Sequence, residues 1–224
     1  MAADAQSSLQ RFRYIVIEGA IGAGKSSLAR KLATHLGAEL LLEQPGENPF
    51  LGRFYEDMPG YAFQTQLFFL FQRLKQMQGA AQPGMFDSGL VGDYLFAKDA
   101  LFAKVTLSDD EFRLYSQMYA QVAPQVREPD LVVWLQASPE TLLGRIRKRG
   151  IGMEFAITAD YLQRLCDAYV EYFRGYEGAP VFTVVTEHFN PIDREADFQA
   201  LVQRLAAFDG RRETFDLQPG LPLG

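Results

Sequence analysis

Tyr14-Ile15-Val16-Ile17-Glu18-Gly19-Ala20-Ile21-Gly22-Ala23-Gly24-Lys25-Ser26-Ser27 is the stretch whose reading decides the fold. Tyr14 to Ile17 is an apolar, β-branched run, Gly19 to Gly24 is glycine-rich, and from Lys25 apolar residues recur at helical spacing (Leu28, Leu32, Leu36), which reads as strand, loop, helix. Gly19, Gly24, Lys25 and Ser26 fit G-x-x-x-x-G-K-[ST], the phosphate-binding loop. Glycines let successive backbone N–H groups turn inward around phosphate oxygens, and the helix N-terminus adds its positive end. Lys25 can reach the outer phosphates and the Ser26 hydroxyl can ligate Mg²⁺. The expected nucleotide-binding set is therefore Gly19, Ala20, Gly22, Ala23, Gly24, Lys25, Ser26 and Ser27. An ordinary glycine-rich βα turn is the competing reading, made rarer by the strand before it and the helix after it.

The pattern continues outward as alternating strands and helices. Ala38–Leu42 is a second strand candidate ending at Glu43-Gln44-Pro45-Gly46, where Pro and Gly break regular structure. Glu43 then stands at a strand's C-terminal end, the edge of an open α/β sheet where ligands bind. Asn48 to Pro59 suits a short helix plus loop. A long helix follows with Phe63, Leu67, Leu70, Phe71, Leu74 and Met77 on one side, and it carries Gln66 and Arg73 on one face.

Met85–Gly92 reads as an irregular third strand leading to Asp93. Ser108-Asp109-Asp110-Glu111 is a capping box opening a helix to Val122. Leu131–Leu135 has the look of a strand buried on both faces. Ser138 and Pro139 start the next helix, which ends in the basic cluster Arg145-Ile146-Arg147-Lys148-Arg149-Gly150. That cluster either complements the helix dipole or forms a lid whose Arg145 and Arg149, one turn apart, stabilise a transferring phosphoryl group. Thr158–Tyr176 makes a helix, Val181–Val185 a fifth strand and Glu195–Phe208 a last helix. The expected architecture is α/β, a five-stranded parallel sheet flanked by helices, with residues 1–209 as one domain and 210–224 as a flexible tail.

Composition sets bounds. A chain of 224 residues, 48% hydrophobic and 22% charged, can bury one substantial core. The net charge of −6 argues against duplex nucleic acid as the main partner. One cysteine, Cys166, excludes a disulfide framework within the chain. Residues 1–11 contain no apolar signal-peptide core and no apolar run approaches membrane-spanning length, so the expectation is a soluble, cytoplasmic protein with no membrane contact.

Between about Tyr14 and Pro191 the chain resembles the deoxynucleoside kinase family, specifically its bacterial deoxyadenosine/deoxyguanosine kinase-like members. Asn48-Pro49-Phe50-Leu51-Gly52-Arg53-Phe54-Tyr55-Glu56-Asp57 matches the family stretch N-P-F-L-x-x-F-Y-x-D almost residue for residue. The resemblance implies a P-loop kinase fold with an Arg-bearing lid, ATP as phosphate donor, Mg²⁺, a deoxynucleoside substrate phosphorylated on its 5′-hydroxyl in nucleotide salvage, and a homodimer. It implies Glu43 as general base or orienter, Tyr55 and Glu154 at the sugar 3′-hydroxyl, Gln66 at the base edge, and Arg73 with an acidic partner beside the base.

Against the family motif D-R-S-I-Y-E-D, the gapless register sets Asp93 to Asp99. Asp93 inherits the Mg²⁺-associated role, together with Ser26, and Asp99 becomes the partner of Arg73. A competing register uses Asp87-Ser88-Gly89. The motif's Arg is here Tyr94, its Ser is Leu95, and the lid's last Arg is Ile151. Either turnover is slow, or Arg127, Arg147 or Lys98 replaces the missing charge. Two other readings stand beside this one: a nucleoside monophosphate kinase similar to thymidylate kinase, and a non-catalytic subunit with the kinase fold. The base is expected to be a purine or cytosine, because an Arg73–Asp99 pair offers donors and acceptors where thymine brings a methyl group.

Overall fold

The computed structural model describes residues 8–80 and 88–217. One parallel sheet of six strands forms its centre, in the order β2-β3-β1-β4-β5-β6. The strands are β1 (Tyr14–Gly19), β2 (Glu39–Leu41), β3 (Leu90–Gly92), β4 (Leu131–Gln136), β5 (Val181–Val185) and β6 (Arg212–Asp216). The helices are α1 (Lys25–Leu36), α2 (Leu51–Glu56), α3 (Met58–Ala80), α4 (Lys98–Thr106), α5 (Asp109–Val122), α6 (Pro139–Arg149), α7 (Ala159–Gly175) and α8 (Glu195–Ala207). Every residue of β1 is buried, and β4 is buried through Leu135. That double-sided burial is what continuous Val/Ile/Leu runs produce between two helical layers.

The element ends follow local chemistry. Gly24 precedes α1 at φ +93° and Gly37 follows it at φ +66°, its N–H capping Ala33 and Thr34 carbonyls. Ser108 and Glu111 form the capping box of α5, and the Ser138 hydroxyl accepts from Thr141 N at the start of α6.

Two expectations need correction. The sheet has six strands, not five, because residues 212–216, read as part of a flexible tail, pair in parallel with β5 from Val181↔Arg212 to Val185↔Asp216. Only Phe215 of β6 is buried, so an edge strand with four polar or half-exposed residues carries almost no hydrophobic signal. Phe215 meets Phe189 edge-on at 5.0 Å, and the Arg212 guanidinium donates to the Phe173 and Tyr176 carbonyls. The third strand is also shorter than read, Leu90–Gly92, with Met85–Asp87 outside the described residues.

The strand order places β1 between β3 and β4, so the chain leaves the sheet's C-terminal edge on both sides of β1. At such a switch point the loops diverge and open a crevice. The segments that follow β1, β2 and β3 meet there, and they carry the glycine-rich loop, Glu43 and Asp93.

Candidate active site

Those segments, with α2, α3, α4, α7 and the turn at Gly152–Ala156, line an open cleft. Its walls include Lys25, Ser26, Glu43, Tyr55, Gln66, Arg73, Asp93, Lys98, Arg149 and Glu154. The loop itself is fixed by sterics. Gly19 adopts φ +151°, and a Cβ there would sit 2.5 Å from the Leu135 carbonyl oxygen of the neighbouring strand. Only glycine fits that approach. Ala20 and Ala23 are buried while Ser27 is exposed in the first turn of α1. Lys25 Nζ lies across the loop, 3.2 Å from the Ala20 carbonyl oxygen. Burial and then the nearby Lys98 ammonium push the Lys25 amine down to about 8, against the pull of Glu18, Glu43 and Asp93.

Ser26 and Asp93 come together as the gapless register requires. Ser26 Oγ donates to Asp93 Oδ2 at 2.5 Å, and Asp93 Oδ1 accepts from the Glu43 backbone N–H at 2.7 Å. One carboxylate thus ties the phosphate loop to the end of β2. Asp87, the alternative, lies outside the described residues.

Glu43 is the centre of the charge network. Arg73 Nε donates to its Oε1 at 2.9 Å, joined by a short contact from Arg73 Nη2, and Lys98 Nζ donates to its Oε2 at 3.0 Å. Burial alone would raise this carboxyl, but Arg73 and Lys98 outweigh it and hold Glu43 well below the usual carboxylate range. Arg73 Nη1 also lies 2.7 Å from Asp99 Oδ2, so one guanidinium links the acid at β2 to the acid on α4. Asp99 is fully buried, neither of its oxygens accepts a well-directed hydrogen bond, and burial raises its carboxyl against the pull of Arg73.

Gln66 is buried on α3 beside this chain. Its Nε2 donates to Thr106 Oγ1 at 3.3 Å, which leaves Oε1 with no donor. An unpaired buried acceptor at a cleft wall is a costly group to leave alone and a ready reader of a ligand N–H. On the opposite wall, Arg149 holds Glu154 by Nε (3.1 Å) and Nη2 (2.7 Å), beside Tyr55. Burial and then the Glu154 charge raise the Tyr55 hydroxyl far above its ordinary value, so it stays a donor.

Arg145 departs from the expected arrangement. It does not line the cleft with Arg149. Its guanidinium donates to Thr186 Oγ1 (3.0 Å) and the Thr186 carbonyl (2.6 Å) just past β5, where a hydroxyl and a free strand-end carbonyl offer two acceptors. The root of the lid helix is also held by Glu187, which accepts from Thr141 Oγ1 at 2.6 Å and from the Ser138 N–H. Arg145 is placed as an anchor of α6, and of the two lid arginines only Arg149 lines the cleft.

The family model described as Deoxynucleoside kinase matches residues 15–208. The chain belongs to the deoxynucleoside kinase family. It is 34% identical over 175 residues to the deoxyguanosine kinase of Bacillus subtilis, covering 77% of this chain and 84% of the relative. It is likewise 34% identical over 180 residues to the deoxyadenosine kinase of Lactobacillus acidophilus, covering 74% and 82%. Among solved structures, deoxyadenosine kinase from M. mycoides with products dCMP and a flexible dCDP bound superposes with a TM-score of 0.76 at 27% identity, covering 87% of this chain and all of that one. The enzyme is therefore a phosphotransferase acting on deoxynucleosides.

One residue of this deoxynucleoside kinase escaped sequence reasoning and another was left among alternatives. Glu18 is fully buried in β1 and accepts from Gly19 N (2.8 Å), Leu95 N (2.6 Å) and Tyr169 Oη (2.8 Å). It binds the phosphate loop to the start of the α4 segment and to the helix behind the lid. A charged residue inside an otherwise apolar strand was the available signal. Lys98, one of three candidate replacements for the missing arginine, is the one that the structure brings to the cleft. Arg127 lies 3.7 Å from Asp130 on the outer surface, and Arg147 is exposed on α6.

Proposed function

We propose that the enzyme transfers the terminal phosphoryl group of ATP to the 5′-hydroxyl of a deoxynucleoside whose base carries an amino group. The observation that carries this reading is Glu43, which shares one cleft with Lys25, Ser26 and Asp93 while Arg73 and Gln66 line the same cleft and Asp99 is buried behind Arg73. The loop N–H groups and Lys25 hold the donor phosphates. Glu43 accepts the hydrogen bond of the acceptor hydroxyl and orients it, and Tyr55 with Glu154 grips the sugar. Gln66 Oε1 and the Asp99 carboxyl accept from the base's exocyclic amine, which adenine, guanine and cytosine have and thymine lacks.

The oxygen donors Ser26 and Asp93 suit Mg²⁺, which is commonly held by one or two carboxylates plus substrate phosphates. Among the described residues no cluster of three acidic, histidine or cysteine side chains forms an all-protein cage. When bound, the ion neutralises phosphate charge.

The cytoplasmic, membrane-free setting belongs to the same reading, and among the described residues no helix is long and apolar enough to cross a membrane. A homodimer does too: Phe71 is 52% exposed on α3, and Leu67 and Phe68 line the same surface groove.

The test is a labelled-phosphate assay over the four deoxynucleosides, the ribonucleosides and their monophosphates. A monophosphate formed from deoxyadenosine, deoxyguanosine or deoxycytidine, with thymidine poorest, is the expected result. Diphosphate formed only from monophosphates overturns the reading.

A further inference from the structure

The position where the family motif carries arginine is Tyr94, and its ring is fully buried beneath the Arg73 guanidinium, 5.9 Å from that carbon, with its hydroxyl unpartnered. It presents no cation to the reacting atoms. Four cations line the cleft. Arg73 is held by Glu43 and Asp99, Arg149 by Glu154, and Lys25 belongs to the phosphate loop. Lys98 remains, 3% exposed, with one N–H on Glu43 Oε2. An ammonium has three donors, so it keeps capacity for a ligand oxygen.

Its placement is unfavourable for the free protein in two ways. Lys98 is the first residue of α4, where the helix dipole repels a cation. It also lies close enough to Lys25 for each ammonium to oppose the other. A polyphosphate entering the cleft relieves both.

We propose that Lys98 is a catalytic residue of the phosphoryl transfer, its ammonium contacting the oxygens of the transferring group while it holds Glu43 against the acceptor hydroxyl. This rests on the kinase reading above. In the step, the acceptor 5′-oxygen forms a bond to the terminal phosphorus as the bond from that phosphorus to the bridging oxygen breaks. The hydroxyl proton passes to Glu43 and then to solvent, and the diphosphate leaves into the loop N–H groups and Lys25. Lys98 balances the equatorial negative charge from the acceptor side, where the neighbouring Arg73 is already shared between Glu43 and Asp99.

The experiment measures kcat, both KM values, Tm and the pH profile for wild type, K98M and K98R, on the best substrate of the deoxynucleoside panel. K98M is expected to lower kcat about 100-fold with each KM within about threefold. K98R is expected to recover most of kcat. The acid limb of kcat/KM moves to higher pH in K98M, since Glu43 loses one of the cations that hold it low. A kcat for K98M within about threefold of wild type, or K98R as poor as K98M with an unmoved acid limb, overturns the proposal. If K98M fails to fold, K98A assayed with and without ethylammonium decides: restored turnover supports the role and its absence overturns it. Wild type inactive on every deoxynucleoside sinks the kinase reading itself, whereas active wild type with unimpaired K98M sinks the lysine proposal alone.

Discussion

Glu43 is held by two cations in the free enzyme, and that arrangement has consequences for pH. A carboxyl whose folded value lies below its ordinary one stays ionised as pH falls through the normal carboxylate range. Between pH 7 and 5 the kcat/KM profile is therefore expected to show no acid limb from Glu43, and a limb centred near 4.5 or above would contradict the network. Stability follows the same sign. The ionised pair contributes above the ordinary carboxylate value, and the contribution is lost only as pH drops toward the depressed one. Gln66 gives a second expectation at this scale. Gln66→Leu removes an unpaired acceptor at the base side and costs the base amine one of its acceptors, so kcat/KM for amino-bearing bases falls by about 5- to 150-fold, one to three kcal/mol. Steady-state kinetics on deoxyadenosine and thymidine check it, because thymidine lacks the donor and should change far less. Glu43 and Asp93 stood out in the sequence because each follows the end of a strand, whereas Tyr55 and Gln66 were singled out through the family resemblance. Glu18 was not singled out, and Lys98 could not be chosen over Arg127 and Arg147, because their partners lie up to 151 and 55 residues away. Spacing within a segment contains no information on which distant acid a lysine will meet.

Elements account for the rest of the site. The glycine loop was readable as strand, turn and helix since each residue type has a local backbone reason. The steric cause of Gly19 was not, as it is a carbonyl of β4 more than a hundred residues on. Gly19→Ala puts Cβ 2.5 Å from that backbone oxygen, where no side-chain rotation can relieve it. The expected cost is about 2 to 4 kcal/mol from overpacking and a forced backbone shift, with nucleotide binding lost. Gly37→Ala is the control. It carries φ +66° with nothing within 4 Å of its Cβ, so only the left-handed backbone penalty of about 1 kcal/mol applies. Denaturant melts of both variants, with and without ATP, separate the two. Lid helix α6 shows the limit of helical-face reasoning. Arg145 and Arg149 are one turn apart, yet a guanidinium on three rotatable methylenes goes where acceptors are. Thr186 offers two of them to Arg145, and Glu154 offers a carboxylate to Arg149.

At the scale of the whole molecule, alternation of strand and helix signals fixed a parallel sheet, because buried strands of such a sheet are near-continuous apolar runs. The edge strand broke that rule. β6 exposes Arg212, Thr214 and Asp216 in part or fully and buries Phe215 alone, so its identity depends on β5 being present to receive it. The strand covers the β5 edge on the side remote from the cleft, five strands along from β2. It should act on stability and not on chemistry. Phe215→Ala removes an aromatic that is 8% exposed and packed on Phe189, at a cost of about 3 kcal/mol. For a domain of this size that lowers Tm by roughly 6 to 12 °C. Below the transition, kcat and KM should match wild type, since β6 is the far edge strand and contributes no residue to the cleft lining. Calorimetry together with initial rates at 20 °C tests both halves. A variant that melts normally shows the edge to be unimportant, and one that loses kcat while folded shows that the β5–β6 edge is coupled to the lid helix through the residues that follow β5, Thr186 on Arg145 and Glu187 on Ser138 and Thr141.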